Sequence, residues 1–219
     1  MTDLEKHMIA RNAEKRAKEA AEAAKSAQQT NAAKQVNPVV ERKYELTAES
    51  DGYGAFRIRA LRDFDTPYSH VRKGELGGFA TSLSNLSHKG GCWLYGNSKS
   101  VGRGFVGGNA CAFDNAVVEG RGILDGNAKL SGKASVEDQA HVHGNASVSG
   151  SSAIRDISDV SGDAIVVSTT TWGDTVIQGA PYIDGCSLDR VTVRGNGYYD
   201  TESYYGCTLK EVVDDIGER

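Results

Sequence analysis

Residues 126–150 read GNAKLSGKASVEDQAHVHGNASVSG. Glycine or aspartate recurs every sixth residue, alanine follows two places later, and an aliphatic residue two places after that. A period of six matches neither the 3.6 of a helix nor the plain alternation of a long strand. It matches a short strand that turns a corner and starts again. Counted outward, the beat runs from Gly96 to Val167 as twelve units without an insertion or deletion. Position 1 is glycine nine times and aspartate three times (Asp114, Asp138 and Asp156). Position 3 is always Ala, Ser or Gly, and position 5 is aliphatic in ten units, with Ser100 and Ala112 the exceptions.

Alternation along a strand turns this pattern into a shape. Positions 3 and 5 point to one side and 4 and 6 to the other, so small and aliphatic residues face inward. Positions 1 and 2 form the corner, where Gly and Asn accept positive φ. Three strands and three corners make an 18-residue triangular coil, and twelve units make four coils. Residues 18 apart then stack. The predicted inner ladders are Ser100, Val118, Val136, Ile154; Val106, Leu124, Val142, Val160; and Ala112, Leu130, Val148, Val166. Such a repeat needs its end coils covered.

The rest of the 219-residue chain differs in texture. Residues 1–43 are rich in Ala, Lys, Glu, Arg and Gln and predict a helical arm. Within it Ala10, Ala13, Ala17, Ala20, Ala24 and Ala27 form a heptad seam of small residues, and Leu4, Met8 and Ile9 are its sizeable anchors. The arm is either a free, frayed helix or one ordered by a partner. Residues 44–91 mix short β-like runs with Gly-rich turns and predict an N-terminal β cap. Residues 92–167 carry the repeat. Residues 168–219 lose strict register and predict one or two irregular β coils and a C-terminal cap. There Tyr182, Tyr198, Tyr199, Tyr204 and Tyr205 are either exposed rings that stack on sugars or anchor a protein interface or, the preferred reading, a plug of the open end, and TLKEVVDDIGER is read as a short closing helix.

A net charge of −4 gives no electrostatic case for nucleic acid. No stretch reaches the length of a membrane span, and the charged N-terminus lacks the apolar core of a signal peptide. Cys92, Cys111, Cys186 and Cys207 form no CxxC pair, which reads as reduced thiols of a protein made in a cytoplasm and not as a zinc cluster. The GxGxxG match at 102–107 falls in the six-residue register and is explained by corners and inward positions, with no strand-to-helix transition after it.

The V-x-G-N-A-x register resembles the hexapeptide repeat of left-handed β-helices. RIRALRDF (57–64), VRKGELGGF (71–79) and NLSHKGGCWLYGNS (85–98) are similar to the opening of a bacterial and prophage hexapeptide-repeat family whose members carry the label of putative acyltransferase. The resemblance covers about residues 44–167 and implies left-handedness. The fold expected is therefore mainly β: a left-handed parallel β-helix with an N-terminal α-helical arm and irregular caps.

Acyltransferases of this kind use a histidine as general base and acetyl-CoA as donor, which makes His141 and His143 the catalytic candidates. Both sit at outward positions. Stacking sets Asp159 above His141 and Asp125 below His143. Unbroken units leave no loop to enclose a substrate, so the preferred reading of these residues is a solvated surface. Outward apolar residues Phe105, Phe113, Val117 and Ile123 point instead to an interface, covered either by the chain's own cap or arm or by a neighbouring subunit. Together with Leu4, Met8, Ile9, Ala13, Ala17, Ala20 and Ala24 they form the predicted partner surface. The expectation is a non-enzymatic structural protein, a bacteriophage decoration, collar or fibre component. It would be made in the bacterial host cytoplasm and carried on the virion, homotrimeric, bound to other virion proteins and not to nucleic acid or membrane, with no cofactor or metal. The alternatives are an acetyl-CoA-dependent acyltransferase and a phage inhibitor of a host protein.

Overall fold

The computed structural model describes residues 41–200 and 202–210. Most of the expected arm, including Leu4, Met8, Ile9, Ala13, Ala17, Ala20 and Ala24, lies outside the described residues, as does the end of the expected closing helix.

Short strands follow one another around a parallel β-solenoid with three flanks. Two flanks hold seven strands each and the third ten, so the chain winds through about seven turns. The ladders fall where the repeat places them: Ser100 pairs with Val118, Val118 with Val136 and Val136 with Ile154. Val106, Leu124, Val142 and Val160 stack on the second flank, and Ala112, Leu130, Val148 and Val166 on the third. Positions 3 and 5 are buried in every unit from Gly96 to Val167. The stacked aliphatic residues are the core, and the backbone bonds between coils hold their spacing.

Position 1 of all twelve units has positive φ, from 55° at Asp138 to 76° at Gly162. Position 2, which the sequence also suggested for left-handed backbone, does not. Its asparagines do other work. Asn109 Nδ2 donates to Asn127 Oδ1 (3.1 Å), Asn127 Nδ2 to Asn145 Oδ1 (3.0 Å), and Asn145 Nδ2 to Asp163 Oδ1 (2.9 Å). At the foot of this ladder the Gly91 N–H donates to Asn109 Oδ1 (3.0 Å). The position-1 aspartates act likewise: Asp114 Oδ2 accepts from the Gly132 N–H of the next coil (3.0 Å), and Asp156 Oδ2 from Gly173 (2.7 Å). Asn127→Ala removes one donor and one acceptor from an exposed ladder. It is expected to cost about 1 kcal/mol, read from the shift in a urea unfolding midpoint.

Above residue 167 the coils tighten without stopping. The step between stacked partners is 18 for Val142 and Val160, 17 for Val160 and Ile177, and 16 for Ile177 and Val193. Positive φ marks the corners at Ser168, Gly173, Gly179, Gly185, Arg190, Gly195 and Gly206. At Ser168, Gly185, Arg190 and Gly206 only one residue separates the corner from the next strand, so position 2 is missing there. The coils expected to be irregular are thus shortened versions of the same coil. Thr208–Lys210, expected to open a helix, is the last described strand.

The tyrosines of this region divide. Tyr199 pairs with Ile183 and Tyr204 with Leu188, so these two continue the inner ladders and pack against the core at the distal end. Tyr182 and Tyr198 stand outside, stacked with ring centroids 5.1 Å apart, and Tyr205 is 65% exposed. Only part of the expected plug is therefore a plug.

At the opposite end, β1 (Tyr44–Ser50) pairs antiparallel with β2 (Phe56–Ala60), and β2 with β5 (Leu76–Ala80). The strand β5 then joins Lys99–Ser100 in parallel register. Between them β3 (Phe64–Asp65) and β4 (His70–Val71) form a small separate ladder. An antiparallel hairpin added to the first coil covers an edge that would otherwise stay open. The Gly-rich stretch 102–107 is corner and strand, with no helix following: a methyl group at Gly104 would lie 2.3 Å from the Val118 carbonyl oxygen.

Candidate functional site

The strand His141–Val142 lies on the second flank, and its sequence HVH sends both imidazoles outward while Val142 fills the core. Below it runs Ile123–Leu124 and above it Asp159–Val160, with His141 in register between Ile123 and Asp159. Asp125 follows Leu124 at the outward position beneath His143. Four polar side chains from three successive coils therefore meet on one flat surface.

Their contacts run diagonally. His141 Nε2 lies 3.1 Å from Asp125 Oδ1, and His143 Nε2 lies 3.2 Å from Asp159 Oδ2. Vertical stacking alone suggested the opposite pairing, and the His141 Nδ1 to Asp159 Oδ2 separation is 3.9 Å. The two imidazoles also stack on each other, centroids 4.2 Å apart at 25°. The side chains of His141 and His143 remain 34% and 36% exposed. Ligand atoms of Asp125, His141 and His143 all lie within 4.8 Å of one another. The sequence reading named no metal ligand, although HxH on one strand was its visible half. Asp125, 16 residues from His141, joins the group only through the winding of the coil.

The remaining described histidines belong to the cap. His88 Nδ1 accepts from the Lys43 N–H (3.2 Å) and its ring stacks on Tyr44. Burial, then the nearby Lys43 and Arg42 charges, hold its pKa below the ordinary imidazole value. His70 Nδ1 lies 2.7 Å from Asp65 Oδ1 on the surface.

The four outward apolar residues singled out in the sequence separate onto different flanks. Phe105 and Ile123 stack on the second flank directly beneath His141, with the Phe105 ring lying across Gly107. Phe105 is 37% exposed. Val117 stands on the first flank between Lys99 and Ser135. Phe113 is taken up by its own chain: it stacks on Tyr95 at 4.7 Å, meets Tyr68 edge-on at 5.0 Å and lies under the Lys129 ammonium. Tyr95 is in turn tied to Thr66 and Ser69 by its hydroxyl. A further outward column on the third flank starts in the last regular unit and continues into the shortened coils: Ile165, Tyr182 and Tyr198. Ile165 is 43% and Tyr198 66% exposed.

No protein-family model matches this chain, and no curated protein matches it.

Proposed function

We propose that this chain is a non-enzymatic structural and interaction protein, a rigid β-helical rod of the hexapeptide-repeat type that serves as a bacteriophage virion component. One observation carries the reading. Large apolar side chains stand outward on strands that backbone ladders hold fixed: Phe105 on the second flank, and the Ile165, Tyr182 and Tyr198 column on the third. Aromatic groups held on a rigid surface suit docking, because little side-chain freedom is lost when a partner covers them. The occupant this reading names is a second and third copy of the same chain or a neighbouring virion protein. Mass spectrometry of purified particles should find the chain, and light scattering of the isolated protein should give a trimer mass. A monomer absent from washed particles defeats the proposal.

A second reading, an acetyl-CoA-dependent acyltransferase, draws on the Asp125–His141 contact, since a carboxylate that orients an imidazole is half of a general-base arrangement. It predicts heat on titration with acetyl-CoA and loss of acetyl transfer in His141→Ala or His143→Ala. A flat calorimetric trace removes it.

A further inference from the structure

We infer that Asp125, His141 and His143 bind one divalent transition-metal ion of the zinc class on the flank of the solenoid. This goes beyond the virion reading and does not rest on it. Three features of the cluster point the same way. The first is donor type: two imidazole nitrogens and one carboxylate oxygen suit zinc and its first-row neighbours, whereas magnesium and calcium prefer oxygen alone. The second is spacing. The ligand atoms lie within 4.8 Å of one another, and His141 Nε2 already stands 3.1 Å from Asp125 Oδ1. Donors about 2.0–2.2 Å from a common zinc ion are separated from each other by roughly 3.4 Å. Small side-chain rotations bring the set to that spacing, with the ion seated between His141 Nε2 and the Asp125 carboxylate.

The third feature is support. The ligands come from adjacent strands whose backbones are locked in register, Ile123 with His141 and His141 with Asp159. Ordering the site therefore requires side-chain motion only. Asp159 completes it from above. Its Oδ2 lies 3.2 Å from His143 Nε2 and 3.9 Å from His141 Nδ1, near enough to orient both rings. Partial exposure of the cluster gives the ion a way in and leaves its remaining positions open to water. The bound ion would also clip two successive coils together.

The test uses the full chain, stripped with a chelator and desalted, then titrated with zinc chloride in a calorimeter and with cobalt(II) in an absorption spectrometer. Saturation at one ion per chain is expected, with a visible cobalt band. His141→Ala, His143→Ala and the isosteric Asp125→Asn should each weaken binding at least tenfold and abolish the band. Asp159→Asn should weaken it about tenfold with the band retained. His70→Ala should change nothing. Circular dichroism of each variant confirms that the coils remain, which the outward direction of these side chains favours. Absence of saturable binding overturns the inference. So does binding that survives in the His141→Ala, His143→Ala double variant, because the ion then sits elsewhere.

Discussion

Leu124→Ala should lower the free energy of unfolding by about 3 kcal/mol or more, while Ile123→Ala, one residue away, should cost well under half as much. Leu124 is fully buried, stacked between Val106 below and Val142 above. Each coil has only three such large inward residues, here Val118, Leu124 and Leu130, so removing one empties a sizeable part of a cross-section. The void is hard to close. The coil above is held at fixed distance by the bonds from the Ile123 N–H to the Ala140 carbonyl (2.9 Å) and from the Asp125 N–H to the Val142 carbonyl (3.0 Å). A site that cannot collapse falls toward the upper part of the usual range for this substitution. Ile123 faces the other way, half-buried between Phe105 and His141, and loses surface contact alone. Urea unfolding of both variants gives the comparison. Equal costs would mean that the alternation, and with it the assignment of inside and outside, is wrong. Hydrogen exchange adds a spatial check: in a stack where each coil touches only its neighbours, protection should fall near Val106 and Val142 and persist at Ile183.

The part of the fold legible in the sequence is the part whose physics is strictly periodic. Gly at position 1, a small residue at position 3 and an aliphatic at position 5 report left-handed backbone, close approach and core, and all three are met at fixed spacing. At Gly122, for instance, a methyl group would lie 2.4 Å from the Val136 carbonyl oxygen, so the small residue is a packing requirement. What escaped was a change of period. Dropping position 2 at Ser168, Gly185 and Arg190 shortens the corner but keeps the strand alternation, so the inner ladders run on through Ile177, Ile183 and Leu188. A count in sixes reads this as decay. The candidate site was half legible for a related reason. His141 and His143 are neighbours in the chain, and their stacking partners Asp125 and Asp159 follow from a spacing of 18. The diagonal contacts do not, because backbone register fixes where each Cβ stands and not where its imidazole leans. The burial of Lys43 had no signal at all, being a charged residue at the edge of what reads as a helical arm.

That lysine leads to a prediction about alkali. At the base of the solenoid Lys43, Tyr44, Cys92 and Cys111 are all fully buried. Lys43 Nζ donates to the Cys92 carbonyl (2.7 Å), the Gly90 carbonyl (3.3 Å) and the Cys92 sulfur (3.1 Å), and Tyr44 Oη donates to the Leu83 carbonyl (2.9 Å). Burial pushes the Cys111 thiol from 9.0 up to about 12, and raises Cys92 and Tyr44 as well. Between those two pH values the unfolded chain has lost the Cys111 proton and the folded chain still holds it. The folded state binds more protons, so stability falls as pH rises through this window. At about 1.4 kcal/mol per pH unit, Cys111 alone accounts for a loss on the order of 4 kcal/mol across the whole window. Cys92 and Tyr44 act in the same direction. Lys43 opposes them, since burial lowers its pKa from 10.5 and the unfolded chain then carries the extra proton; its contribution to stability rises with pH up to that value. Three groups against one give a net fall, beginning near the ordinary thiol value. The urea midpoint at pH 10.5 should therefore lie clearly below that at pH 8.5. Cys111→Ala should start lower at pH 8.5, because it leaves a small void, yet decline less steeply. Lys43→Met removes the one opposing group and should steepen the decline. An unchanged slope in Cys111→Ala would show that this thiol is not held protonated by burial, and the packing assigned to the first coil would fall with it.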